Sequence, residues 1–312
     1  METYRSWQFD LPTIPERSRL YGLQPIGIGT AEVESLTSYL ARLAAAHCVH
    51  PSTLIHQEIE PLLKQRLDFA VRFETPSVSG PDSPNGKGQK ARKYVLALEA
   101  LTGQSNLYCS TLLLLNGLHA NRGLLNPVRA WCPLCYQQWQ ASGQPFYDPL
   151  LWMFRDVTVC QHHHSLLHTH CPQCQYSQHQ LTRIYRPGYC SKCHQWLGAS
   201  VIACDNGGIV IEPDVDWRIW VSTSLAAVLA VAPQMPQQFG DPQVLGQTIA
   251  ANMFCYLSEL TPEQQAQFIA RTRAHQKLLT GQCHPQKVPE LTSLLTFSYF
   301  AGMSLLNLMT TP

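Results

Sequence analysis

The sequence lacks a strong net charge, a long apolar run and any catalytic signature, and each absence removes a class of function. Its 22 Lys and Arg against 21 Asp and Glu leave a formal charge of +1, whereas a dedicated DNA-binding domain is usually far more basic. The longest apolar stretch, Ile219 to Ala232, is interrupted by Ser222, Thr223 and Ser224 and falls short of the roughly 20 residues a membrane span needs. No membrane partner is expected. Met1 to Asp10 carries Glu2, Arg5 and Asp10 around its aromatics, so no apolar leader is read there and a cytoplasmic protein is expected. A helix-borne His-Glu-x-x-His, a phosphate loop ending in Lys-Ser/Thr and a Gly-x-Ser-x-Gly elbow are all missing. The expectation is a protein that is not an enzyme.

What the chain does have is paired cysteines. Cys132-x2-Cys135, Cys160-x2-His163, Cys171-x2-Cys174 and Cys190-x2-Cys193 follow one another, and together they offer seven thiolates and one imidazole. Zinc takes four N or S ligands in a tetrahedron, and a Cys-x2-Cys turn presents two of them to one ion. The pattern therefore predicts two structural Zn²⁺. Consecutive pairing would join Cys132, Cys135, Cys160 and His163 in one site and Cys171, Cys174, Cys190 and Cys193 in the other, enclosing loops of 24 and 15 residues. Interleaved pairing also satisfies the spacing. Four protein ligands per ion close each site, which points to a structural rather than a catalytic metal. The neighbouring His162 and His164, with His168, His170, His179 and His194, are read as solvated or as contacts behind the ligands. The other five cysteines have no paired spacing and are read mostly as small buried hydrophobes.

The length of 312 residues and a 45% hydrophobic content suit two or three folded units. The expected class is mainly α with small metal-stabilised β elements. Its expected parts are an N-terminal helical domain with a helix-turn-helix (residues 1–130), a tandem zinc-finger module (131–212) and a C-terminal helical domain (213–312). Proline and glycine make the first thirty or so residues an extended arm. Leu36, Tyr39, Leu40, Leu43 and Ala44 then share one helical face, and a second helix starts at Pro51 and is ended or kinked by Pro61. After a Pro/Ser/Gly-rich loop, a helix from about Ala91 stops at Gly103. A further helix, capped by Ser105 or Asn106, is expected to carry Leu107, Thr111, Leu114, Leu115 and Leu118. Helix, tight turn and helix form either a helix-turn-helix or an ordinary helical hairpin. Ile202 to Ile211 reads as a small hairpin. Thr261-Pro262-Glu263-Gln264 is a capping box, Gly281 ends its helix, and Leu291 to Met309 repeats the helix, Gly turn, Ser cap and helix design, a second helix-turn-helix.

Charge is unevenly placed. Between Gly80 and Ala130, Lys87, Lys90, Arg92, Lys93, Arg122 and Arg129 stand against Asp82 and Glu99, a surplus of four. These six are the candidate DNA contacts. Residues 131–200 carry four cations against two acids, and seven thiolates with two Zn²⁺ would bring that block to about −1. The block is therefore read as scaffold rather than as the main DNA reader.

The order of these features resembles the TniQ/TnsD family of transposition target-selection proteins. The likeness is carried by the Glu34 to Leu43 helix, the Leu101-Thr-Gly103 turn leading to Thr111-Leu-Leu, Trp131-Cys-Pro-Leu-Cys135, Val159-Cys-x-x-His163, Cys171-Pro-x-Cys174 and the Cys190/Cys193 pair. The resemblance implies a non-catalytic adaptor of DNA transposition. Its partners would be the transposon AAA+ ATPase and a targeting complex, either a CRISPR effector or attachment-site DNA, with double-stranded DNA touched through the basic N-terminal segment. A homodimer stays open. The alternative is a sequence-specific DNA-binding protein that recognises an attachment site or operator directly. Only about a hundred residues follow the fingers, and they hold five bases against six acids, which favours the adaptor.

Overall fold

The computed structural model describes residues 17–67, 83–119, 123–198, 214–235, 241–272 and 290–310. Ser35 starts α1 (Leu36–Ala46) by accepting from the Ser38 amide, and Leu36, Tyr39, Leu40 and Leu43 fall on its buried side. Pro51 occupies the first turn of α2 (Pro51–Leu54). A π-helical turn, Ile55–Ile59, then carries the chain directly into α3 (Glu60–Leu67). Pro61 therefore neither ends nor breaks the helix. Its missing N–H and bulky ring are absorbed next to a turn whose hydrogen bonds already run from i to i+5.

Gln89–Thr102 forms α4, and Gly103 ends it in the left-handed region at φ +67°. The expected second helix is absent. Leu107–Ser110 and Leu112–Leu115 are two separate 3-10 turns, split at Thr111, whose backbone is extended. Asn106 is itself left-handed at φ +71°, and the Leu107 amide is met by the Glu99 carboxylate at 2.9 Å instead of by a local cap. The N-terminal segment is thus a helix followed by 3-10 turns, and no continuous recognition helix is formed there.

Pro133–Ser142 forms α5. Beyond it the chain has isolated bridges, Val159 with Leu166, His170 with Ser177 and Tyr189 with Trp196, and no strand among the described residues. The expected β elements reduce to these bridges. The hairpin expected at Ile202 to Ile211 lies outside the described residues, as does Gly281.

The C-terminal part comprises α6 (Val215–Val231), α7 (Pro242–Ser258), α8 (Pro262–Thr272), α9 (Leu291–Phe300) and α10 (Leu305–Met309). The capping box is present, with the Thr261 amide donating to Gln264 Oε1 at 2.9 Å and the Gln264 amide donating to Thr261 Oγ1 at 3.3 Å. Gly302 turns at φ +66° and Ser304 caps α10, which at five residues is a single turn or so. Val215–Gln234 is a helical run long and apolar enough to cross a membrane by length and composition, contrary to the shorter stretch expected. Its Val221, Leu225, Val228 and Leu229 are buried, and it packs on α9, α10 and the turn Leu150–Met153.

Among the described residues three apolar cores result. The largest joins Leu112, Leu115, Leu118, Leu125, Leu150 and Phe154 to Leu225, Leu229, Leu245, Ile249, Leu294, Phe297 and Leu308. It runs across both expected boundaries, 130/131 and 212/213. The second packs α1 to α4 with Leu181 and Tyr185, and the third takes in cysteines of both ligand clusters with Trp131, Tyr136, Trp152 and Leu197.

Candidate metal centres

Pro133 at the first turn of α5 fixes Cys132 just before the helix and Cys135 within it. The turn holding Cys160 and His163 folds onto that helix start. Their four ligand atoms lie within 4.8 Å of one another, as do those of Cys171, Cys174, Cys190 and Cys193. The structure therefore groups the ligands consecutively, not interleaved.

The edges of both clusters test the fit. In the first, Cys135 and Cys160 Sγ are 3.6 Å apart, and His163 Nδ1 stands 3.5, 3.3 and 3.6 Å from the sulfurs of Cys132, Cys135 and Cys160. In the second, Cys171 to Cys193 is 3.6 Å and Cys174 to Cys190 is 3.7 Å. Zn–S bonds of about 2.3 Å in a tetrahedron require about 3.8 Å between sulfurs and about 3.6 Å from sulfur to imidazole nitrogen. Both clusters are compatible with zinc.

Three of the four ligand pairs share one backbone device. The first cysteine amide donates to the carbonyl five residues on, for Cys160 to Ser165, Cys171 to Tyr176 and Cys190 to Gln195, at 2.9 to 3.0 Å. The amide four residues on returns to the cysteine carbonyl, and that residue is left-handed: His164 at φ +50°, Gln175 at +55° and His194 at +60°. Each turn then closes with a bridge from the residue before the cysteine to the one six after it. The pair Cys132/Cys135 differs, because α5 begins between its two ligands. The two centres also differ in depth: Cys132, Cys135 and Cys160 are buried, whereas Cys174 and Cys193 are partly exposed. Gln178 Nε2 reaches Cys190 Sγ at 3.2 Å and supports the second centre from behind. Of the other histidines, His162 pairs with Glu32 at 2.6 Å, and none joins a ligand cluster among the described residues.

The candidate DNA contacts among the described residues do not form one surface. Arg129 is fully buried. Its Nε donates to Asp148 Oδ2 at 2.6 Å, Nη2 donates to Tyr136 OH at 2.6 Å, and Nη1 donates to the Tyr189 carbonyl at 3.2 Å. With its donors consumed inside the protein it cannot reach phosphate, so its assignment as a DNA contact is corrected. Lys87 is half-buried, and its Nζ donates to the carbonyls of Asn116 and Leu118, closing the 3-10 turns; burial lowers its pKa. Arg92 is exposed on α4, with Lys90 and Lys93 partly so. Arg122 lies outside the described residues.

Composition gave no hint of the Asp148 cluster. Asp148 accepts from Arg129, Tyr136 and Tyr185, its amide donates to Ser38 Oγ at 3.0 Å, and the Ser38 hydroxyl donates to Glu34 Oε1 at 2.8 Å. Glu34 in turn pairs with Arg42. Burial lifts the phenols of Tyr136 and Tyr185 well above their ordinary values, so they stay neutral donors. A continuous polar chain thus ties α1 to α5, the helix that carries Cys135. A protein-family model described as TniQ matches residues 25–167, a span that takes in the first centre and ends before the second. No curated protein matches the chain.

Proposed function

Residues 25–167 place this chain in the TniQ family, which is involved in transposition target selection, and from that premise we propose a non-catalytic adaptor. In this reading it links a targeting complex, a CRISPR effector or attachment-site DNA, to the transposon AAA+ ATPase. Two structural Zn²⁺ are held by Cys132, Cys135, Cys160 and His163, and by Cys171, Cys174, Cys190 and Cys193. The observation that carries the reading is the pairing of the family match with two clusters that each close with four protein ligands. A closed tetrahedron leaves no position for an activated water, so its contribution is rigidity.

The protein's own residues supply the rest. Glu34, Ser38, Asp148 and Arg129 fix α1 against the first centre, while Lys90, Arg92 and Lys93 on α4 offer the N-terminal cationic surface to duplex DNA. A cytoplasmic location and a homodimer are compatible with this role.

The test is reconstitution of the full chain with the transposon's AAA+ ATPase, nucleotide and either duplex DNA or the CRISPR effector. Stable co-migration with the ATPase, and no DNA cleavage with Mg²⁺ or Mn²⁺, is the expected result. Tight binding to one defined duplex by the protein alone, without ATPase capture, would instead make it a site-specific DNA binder.

A further inference from the structure

The near-neutral formal charge of residues 131–200 conceals how its charges are placed. Of the two carboxylates, Asp148 is fully buried against Arg129, and Asp156 is partly buried beside Arg155, with burial raising its pKa. From Val157 to Gly198 there is no Asp or Glu at all. Arg183, Arg186 and Lys192 are all exposed in that stretch, the two arginines in the loop between Cys174 and Cys190 and the lysine inside the Cys190/Cys193 turn.

Two of these cations are held in place. The Arg186 guanidinium lies 4.4 Å from the centre of the Tyr189 ring, and Lys192 Nζ lies 5.5 Å from that of Tyr176. Tyr176 belongs to the first turn of the centre and Lys192 to the second, so the contact spans both. The thiolates work against this cationic face, since four of them around Zn²⁺ carry a formal −2. Two of the four lie beneath the surface: Cys171 and Cys190 are buried, with Cys190 Sγ receiving N–H groups from Gln178 and the Lys192 amide, whereas Cys174 and Cys193 are partly exposed. Within residues 157–198 the exposed fixed charges are all cationic, and the thiolates of Cys171 and Cys190 sit beneath.

We propose that the second metal centre presents Arg183, Arg186 and Lys192 to the phosphate backbone of duplex DNA. Single-stranded nucleic acid is gripped by open aromatic faces that stack on bases. Here Tyr176 and Tyr189 already carry cations over their rings, and Tyr189 packs edge-on against Trp196 at 5.4 Å. Neither of these two rings is left as an open platform, which favours backbone contact with a duplex. This goes beyond the adaptor reading, because it gives the second centre, outside the family match, a contact of its own.

The experiment is a salt titration of the full, metal-loaded chain on duplex DNA. Each phosphate contact contributes about 0.9 to the slope of log K against log salt, so Arg183→Ser, Arg186→Ser and Lys192→Ser together should reduce that slope by about 2.7. The variant should keep two zinc equivalents and the ATPase interaction, which separates failure of this contact from failure of the adaptor reading. The charge-keeping variant Arg183→Lys, Arg186→Lys, Lys192→Arg should retain the wild-type slope and confirms that the fold is intact. An unchanged slope in the serine variant overturns the proposal, as does wild-type protein with no salt-dependent duplex binding. Tighter binding to an RNA hairpin than to the DNA duplex overturns the assignment of the partner.

Discussion

Removing the guanidinium at Arg129 would leave the Asp148 carboxylate buried among two phenols without a counter-charge. Breaking a buried pair from one side costs about 3–5 kcal/mol, so Arg129→Met should lower unfolding free energy by that order in urea titrations of the metal-loaded protein. Pairing it with Asp148→Leu should recover part of the loss. A stability unchanged in the single variant would mean that the pair is not the link described. Glu34 offers a second test at this scale. Burial pushes its pKa up to about 7, against the pull of Arg42 and Ser38. The folded protein then binds more protons than the unfolded one between about pH 4.5 and 7, and its stability contribution falls as pH rises through that window. Glu34→Gln should flatten the pH dependence there; an unaltered pH profile would show that the Arg42 pairing keeps the carboxylate ionised throughout.

Within single elements, the Cys-x2-Cys turns were legible because their ligands are three residues apart and the turn is closed by its own backbone. The two centres share no ligand. Cys190→Ser should therefore release one zinc equivalent and leave the other, as metal analysis of the purified variant would register. Loss of both ions, or of neither, would contradict the grouping. The segment from Leu107 to Leu118 was misread for the opposite reason. Its leucine run fits a helix, yet distant groups decide its backbone: the Leu112 amide donates to the Asn85 carbonyl at 2.9 Å, and Glu99 and Lys87 satisfy other ends. Periodicity registers neighbours along the chain and is blind to partners supplied from elsewhere. Arg129 escaped for the same cause, since its charge was visible and its burial was not.

For the whole molecule, the ordering of helical, metal-bound and helical parts was readable, while the way they share apolar surface was not. Leu112, Leu118, Leu125 and Phe154 are covered by residues of α6 to α10. A fragment ending at residue 198 would bare that surface and should aggregate or lose cooperative unfolding, even with both ions bound. A soluble, monomeric fragment with the unfolding midpoint of the full chain would refute the shared core.

Asp148 sits inside the 24-residue loop that the first centre closes, and the same loop meets the start of α1. There the Ser35 amide donates to the Asp148 carbonyl at 3.0 Å and the Leu150 amide donates to the Val33 carbonyl at 2.7 Å. Ion retention and the seating of α1 are thereby one thermodynamic quantity seen from two ends. A partner that grips α1 in its seated position should raise the first centre's affinity for its ion, and by the same coupling free energy a vacated centre should weaken that partner's hold.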